Sequence, residues 1–206
     1  MKNPLHYQLS EYDCGPTSML NAMSFLFSRE EIPPEIVRNI MLYCLDCFGA
    51  DGTSGKSGTS RMAMMFLSNW LDGFGRAGHL PVRSRYLSGR AVNLRQNGAL
   101  TDALRRGGAA VVRLYLDEPH YVLMTGLSGD RVELFDPYYR AEPFPQQDVE
   151  LVWDRPAACN RIVPASYFER ETKELYAFGP EDQREAVLLF NETTQLTAEA
   201  TVEYMI

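Results

Sequence analysis

Residues 109–136 read AAVVRLYLDEPHYVLMTGLSGDRVELFD, which is three apolar runs separated by polar turns. The runs 109–116, 120–126 and 131–136 are rich in β-branched and aromatic residues, a composition typical of strands. The short turn at 128–130 joins the last two runs, which indicates an antiparallel hairpin. This stretch therefore predicts part of an antiparallel sheet.

The chain before this stretch is predicted to be helical. From Pro16 to Phe27 the apolar residues recur at the spacing of a helix with one buried face. Pro16 suits the first turn of that helix, because its missing N–H would have no partner there. Three further helices are predicted at 33–45, 60–74 and 100–106, and the helix at 60–74 is apolar on most sides.

The chain after this stretch carries more short β-type runs. They lie at 149–153, 161–163 and 186–190, and a short helix is predicted from Thr197 onward. Because helices come first and strands afterwards, the predicted class is α+β, with N-terminal helices packed on a C-terminal antiparallel sheet. No linker divides the sequence, so residues 1–206 are expected to form a single domain.

Composition excludes several classes of protein. The chain has 206 residues, with 20 Lys and Arg against 27 Asp and Glu, a formal net charge of −7. This charge argues against a broad nucleic-acid surface. The sequence lacks the roughly 20 consecutive apolar residues of a membrane-spanning helix, and its first residues lack the apolar core of an export signal. Four cysteines are too few for a disulfide scaffold, so we expect a cytoplasmic protein.

Cys14 is the first candidate for chemistry, since it stands directly before the first predicted helix. The unpaired N–H groups and the positive end of the helix dipole stabilise an anion at that position, which favours the nucleophilic thiolate. Gln8 lies six residues upstream and could share an oxyanion with the backbone N–H of Cys14. Position alone favours the plainer alternatives, a buried structural thiol and a surface glutamine.

A cysteine nucleophile needs a base, and the chain has three histidines. His6 lies in the N-terminal segment and His79 in a turn-like context, whereas His120 opens an apolar strand, a rigid mount for a catalytic group. Asp136 ends the partner strand of the same hairpin. For each of the last two residues the commoner role is structural, a strand-end histidine and a turn aspartate before proline.

The length of the hairpin loop decides whether His120 and Asp136 meet. A three-residue loop places Asp136 opposite Val122, on the same face as His120. A two-residue loop at Gly129 and Asp130 places Asp136 on the other face. A His120–Asp136 pair therefore predicts an odd loop or a bulge, and with that register Asp136 can orient the imidazole.

These segments together resemble a known family. Gln8, the run DCGPTS at 13–18, HYV at 120–122 and FDP at 135–137 are similar to peptidase family C39 and its C39-like relatives. Members of this family are papain-fold cysteine peptidases, best known for removing leader peptides from bacteriocin precursors at double-glycine sites. The order of the four segments and the six-residue spacing from glutamine to cysteine both match.

The resemblance implies a papain-like fold and a cysteine peptidase active site. Cys14 would be the nucleophile, His120 the general base and acid, Asp136 the residue that orients His120, and Gln8 part of the oxyanion hole. The expected substrate is a peptide or protein, with no cofactor, no metal and no nucleic-acid partner. Two alternatives stay open: an acyltransferase or amidase that uses the same thioester, and a non-catalytic binding module on the same fold.

Three other features are assigned to structure. Cys44 and Cys47 form a C-x-x-C pair, but zinc would require two further ligands, so we expect buried thiols on an apolar helix. The Gly- and Ser-rich run 49–59 departs from a P-loop, because Ala50 replaces the required glycine and no strand leads into it. It is expected to be an exposed loop, either mobile beside the site or inert. Core packing is the expectation for three aromatic residues that could instead line a groove: Tyr138, Tyr139 and Trp153.

Overall fold

The computed structural model describes residues 1–194. Its helices are α1 (Cys14–Leu26), α2 (Pro34–Tyr43), α3 (Arg61–Arg76) and α4 (Ala99–Arg105). Its strands are β1 (Val82–Ser88), β2 (Ala109–Leu116), β3 (Glu118–Ser128), β4 (Arg131–Phe135), β5 (Glu150–Leu151), β6 (Arg161–Pro164) and β7 (Glu185–Asn191). The helix predicted from Thr197 lies outside the described residues. The other predicted helices and strands are present within a few residues of the expected bounds.

The seven described strands form one sheet in the order β1-β7-β2-β3-β4-β6-β5. Every neighbouring pair in it is antiparallel. The helices α1, α2 and α3 contribute to the core on one face of the sheet, and α4 contributes to the core on the other. The α+β class, with N-terminal helices on an antiparallel sheet, is thereby confirmed.

The central strands read as continuous apolar runs because both faces of the sheet are covered. On β3, Tyr121 and Leu123 pack toward the α1 side, whereas Val122 and Met124 pack toward the α4 side. Alternate residues of a strand point to opposite faces, so a strand buried on both faces needs apolar residues at every position. The packing of α1 against β3 brings Cys14 near the strand that carries His120.

Two details of the fold differ from expectation. Strand β1 was not predicted, because polar residues interrupt its apolar pattern at three consecutive positions, 83–85; it is an edge strand that pairs with β7. Helix α3 was expected to be apolar on most sides, and its composition is, but the structure buries one side of it. Met62 and Phe66 on this helix are exposed. Its start agrees with the sequence, since the Ser60 hydroxyl accepts the N–H of Ala63.

The β3–β4 hairpin contains the predicted irregularity. Ser128 pairs with Arg131 across a two-residue turn, and Gly129 in that turn has a φ of 63°. A β-bulge then shifts the register between Met124 and Gly126, so that Leu123 pairs with Phe135. The turn alone would have placed Asp136 on the wrong face, and the bulge restores the face that His120 occupies. The expectation of an odd loop or a bulge is confirmed by the bulge.

Candidate active site

Cys14 is the first residue of α1, and its side chain is 8% exposed. The turn before it is held by Asp13, whose carboxylate accepts the backbone N–H groups of Leu9 and Ser10 and the Ser10 hydroxyl. Burial acts to raise the pKa of Asp13, but these hydrogen bonds lower it below its usual value. The acidic side chain therefore organises the turn instead of capping the helix, and the N–H groups of the first turn stay available near Cys14.

Gly15 determines what packs beside Cys14. A Cβ atom at this position would collide with the Thr59 side chain, and it would also meet Met64 of α3 at 3.2 Å. Only glycine allows the end of loop 49–59 to approach the start of α1 this closely. The end of loop 49–59, which is distant from Cys14 in the sequence, therefore packs directly beside the first turn of α1.

His120 and Asp136 form a buried pair. His120 Nε2 lies 2.8 Å from Asp136 Oδ1, and the two residues are 7% and 1% exposed. Burial acts to lower the pKa of His120, but the Asp136 carboxylate and the neighbouring Cys14 thiol raise it from 6.5 to about 10. Because Asp136 occupies Nε2, the ring nitrogen left for Cys14 is Nδ1.

Asp136 is held by groups from three directions. Its Oδ1 also accepts the N–H of Tyr138 at 2.8 Å, and its Oδ2 accepts the hydroxyl of Tyr176 at 2.9 Å. The Asn160 side chain accepts the backbone N–H of Asp136 and donates to its carbonyl, both at 2.8 Å. Burial acts to raise the pKa of Asp136, but His120 and the buried Arg161 hold it below its usual value.

Sequence reasoning missed Tyr176, Asn160 and Arg161. Asn160 and Arg161 reach Asp136 only because β6 pairs with β4. Tyr176 follows 40 residues after Asp136, in a segment without regular structure, and adopts a φ of 59°. No sequence motif links these residues to Asp136. Asn160 and Arg161 come near it through strand pairing, and Tyr176 does so in a left-handed backbone conformation.

Gln8 is fastened to the same region. Its backbone N–H donates to the Pro137 carbonyl at 2.9 Å, which ties the N-terminal segment to the end of β4. Its side-chain Nε2 donates to the Ser10 carbonyl at 2.7 Å, and within residues 1–194 its buried Oε1 has no hydrogen-bond partner. An amide nitrogen carries two hydrogens, so one N–H of Gln8 is left to donate.

The structure brings the four predicted residues to one place. Gln8, Cys14, His120 and Asp136 all line a cleft of about 920 Å³. Neither His6 nor His79 lines this cleft; the ring of His79 lies 4.9 Å from that of Phe74 on α3. Of the three histidines, His120 is the one that lines the cleft together with Cys14.

For the loop, the cysteine pair and the aromatic residues singled out in the sequence, the structure agrees with some expectations and contradicts others. Residues 56–59 of the exposed loop line the cleft, so this loop lies beside the site. Cys44 is buried, which raises the pKa of its thiol to about 12. Cys47, by contrast, lies beyond α2, is only half-buried and lines the cleft, so its assignment to a buried helix face was wrong. The assignment of three aromatic residues to the core was also wrong, because all are exposed: Tyr138, Tyr139 and Trp153.

Comparisons with known proteins give a structural likeness and no sequence match. No family model matches the chain, and no curated protein matches it. Within residues 1–194, no helix is both long enough and apolar enough to cross a membrane. The structure is similar to the crystal structure of a double glycine motif protease from an AMS/PCAT transporter in complex with the leader peptide. The similarity covers 91% of this chain and 89% of that one, with a TM-score of 0.44 and 12% sequence identity.

Proposed function

We propose that this chain is a cysteine peptidase that hydrolyses a peptide amide bond through a thioester on Cys14. The observation that carries the proposal is the buried His120–Asp136 pair, joined at 2.8 Å, in the same cleft as a cysteine at the first residue of a helix. Nucleophile, base and orienting carboxylate are the three groups that acyl transfer through a thiol requires. The cytoplasmic location stays a prediction.

In the first step the Cys14 thiol gives its proton to His120 and attacks the carbonyl carbon of the substrate. The raised pKa of His120, about 10, makes the ring a strong enough base to take that proton from the thiol and to hold it at neutral pH. Collapse of the tetrahedral intermediate breaks the C–N bond, and His120 returns its proton to the leaving amine. Asp136 stays ionised and fixes the ring through Nε2.

Two donors are available for the oxyanion that develops during this attack. One is the backbone N–H of Cys14, because the first N–H groups of a helix have no acceptor within the helix. The other is the second N–H of the Gln8 amide, whose first hydrogen is used by the Ser10 carbonyl. A donor held in place before the reaction stabilises the transition state without reorganisation, and losing one typically costs about 100- to 1000-fold in kcat.

Hydrolysis of the thioester completes the cycle. Water enters the open cleft and loses a proton to the neutral His120 as its oxygen bonds to the acyl carbon. The C–S bond then breaks, the acid leaves, and the proton on His120 restores the thiol. One water molecule supplies the hydroxyl of the acid and the proton of the thiol, so the step needs no other reactant.

The test is alkylation of Cys14 with iodoacetamide at mildly acidic pH, mapped by mass spectrometry of the tryptic peptides. We expect Cys14 to be modified well ahead of the other three thiols and Cys14→Ala to lose both this label and peptide turnover. Cys47→Ala is the matched control, because Cys47 lines the same cleft, and it should keep both. Equal labelling of Cys14 and Cys47, with no turnover of a peptide library, would contradict the proposal. A product joined to an added amine, in place of the free acid, would reassign the enzyme to acyl transfer.

A further inference from the structure

A second polar cluster lines the cleft beside the proposed active site. Arg113 on β2, Glu185 on β7 and Tyr121 line the cleft. The Tyr86 hydroxyl, from outside the cleft lining, donates to Glu185. Arg113 pairs across the sheet with Tyr121, the residue that follows His120. Neighbouring antiparallel strands lie about 5 Å apart. The backbone of Arg113 therefore lies about one strand spacing from that of Tyr121, the neighbour of His120 in the chain.

Glu185 carries a buried charge that its own neighbours satisfy. The residue is 2% exposed, and each of its carboxylate oxygens accepts one tyrosine hydroxyl at 2.8 Å, Oε2 from Tyr86 and Oε1 from Tyr121. Arg113 Nε lies 3.9 Å from Oε1, which is longer than a hydrogen bond. Glu185 therefore offsets the charge of Arg113 without occupying its donors.

Arg113 has donors left for a ligand. Its side chain is 21% exposed, and in the described part of the chain its hydrogen bond is from Nη1 to the Gln183 carbonyl at 3.2 Å. A guanidinium carries five N–H donors in a planar fork that fits a carboxylate. Arg61 at the start of α3 donates to the adjacent carbonyl, that of Asp182, at 2.8 Å and also lines the cleft. Two guanidinium groups are thus anchored on neighbouring carbonyls of one turn.

We propose that Arg113, supported by Arg61, forms an anion-binding subsite that selects peptides with a carboxylate close to the scissile bond. The inference rests on the proposed function, because the ligand is the peptide that Cys14 would cleave. The carboxylate is either a Glu or Asp side chain or the free C-terminus of the peptide. Asp117 and Glu118 line the same cleft and offer the opposite chemistry, but they are exposed. Water weakens their interactions more than those of the half-buried Arg113.

The experiment starts from a peptide that the wild-type protein cleaves, found in a fluorogenic library. Each of three positions on either side of the scissile bond is replaced by Glu, Gln and Lys, and each peptide is made with a free and an amidated C-terminus. We expect a carboxylate at one place to be preferred over its amide by roughly 10- to 100-fold in kcat/KM, expressed mainly in KM, as for a hydrogen bond to a charged group. The Glu and Gln peptides report on a side-chain carboxylate, and the free and amidated peptides report on a terminal one.

Arg113→Gln should bring this carboxylate-to-amide ratio close to one, and Arg113→Lys should keep part of it. Arg105→Gln is the matched control, since Arg105 is an exposed arginine that also donates to one backbone carbonyl, that of Gln96 at 3.1 Å, and does not line the cleft. It should keep the full ratio. A preference for Lys, or a ratio that Arg113→Gln leaves unchanged, would overturn the subsite while the peptidase stands.

A binding measurement decides the subsite even when no peptide is cleaved. Fluorescent peptide pools that share one Glu or one Gln are titrated with the Cys14→Ala protein, with and without Arg113→Gln. Tighter binding of the Glu pool that depends on Arg113 supports the subsite independently of turnover. Equal binding of both pools to the protein with Arg113 intact overturns it. Thermal unfolding of every variant identifies any that fail to fold. If Arg113→Gln fails to fold, Arg113→Lys replaces it in the comparison with the protein in which Arg113 is intact.

Discussion

Removing the hydroxyl group of Tyr176 tests whether the neighbours of Asp136 keep its carboxylate ionised. Tyr176→Phe deletes the donor that lies 2.9 Å from Asp136 Oδ2 and keeps the ring, which packs 5.8 Å from Phe144 and 6.3 Å from Phe168. Both Tyr176 and Asp136 are buried, so water cannot replace the lost donor at the same strength. The variant therefore isolates a single hydrogen bond to a carboxylate.

The expected magnitude follows from the chemistry of that bond. A hydrogen bond to a charged group contributes about 1.5–3 kcal/mol. Losing that bond destabilises the ionised carboxylate, so the pKa of Asp136 should rise in the variant. The folded protein holds this pKa below 3.8, so Asp136 contributes stability that is present above the unfolded pKa and lost as pH falls through the folded one. In the variant that loss begins at higher pH.

The assay is kcat/KM against pH, together with thermal unfolding at each pH. We expect the acidic limb of the profile to move to higher pH in Tyr176→Phe, because the pKa of Asp136 rises when the donor is lost. Tyr167→Phe is the matched control, because the Tyr167 hydroxyl donates to Asp148 at 2.6 Å and neither residue lines the cleft. A variant that loses stability while its acidic limb stays in place would refute the reasoning, since Tyr176 would then serve the fold alone.

Three further predictions concern the site itself. Asp136→Asn should lower kcat by at least about 100-fold and move the alkaline limb down from near pH 10 toward 6.5, because the carboxylate raises the pKa of His120; a limb that stays in place would exclude this coupling. The protonated form of His120 contributes stability below its unfolded pKa that is lost as pH rises through the folded one, so the wild type should lose stability near pH 10 and this variant should not. Gln8→Ala should lower kcat by about 100- to 1000-fold without slowing alkylation of Cys14, and Gln8→Glu, which removes the donor, should not rescue it. Gly15→Ala should reduce the free energy of unfolding by about 1–3 kcal/mol through the collision with Thr59, measured by urea denaturation, and Thr59→Gly should restore part of that loss.

The hairpin shows how far sequence reasoning reached. The apolar runs predicted β2, β3, β4 and the pairing of the last two, because both depend on local composition and on a short turn. The position of the bulge was not predictable, since Met124, Thr125 and Gly126 carry no pattern that separates a bulge from a regular strand. Requiring His120 and Asp136 to share a face predicted that some irregularity must exist, and only the structure located it.

The surroundings of Asp136 could not be predicted, for a different reason. Tyr176, Asn160 and Arg161 contact Asp136 or its backbone, or act on its charge, from segments that a sequence places 24 to 40 residues away. A buried carboxylate must gather donors or partners from whatever elements pack against it. The strand order of the sheet decides which elements those are, and strand order is a long-range property.

The sequence by itself determined the α+β class, and it predicted which four residues form the candidate site. Both follow from local signals: the change from helical to strand periodicity, a cysteine at a helix start, and a histidine and an aspartate at the open end of one hairpin. The tertiary structure alone decided that these residues share a cleft, that the pKa of Asp136 is held below its usual value, and that Arg113 lines the same cleft. Such features depend on packing between segments distant in the chain, which no local pattern records.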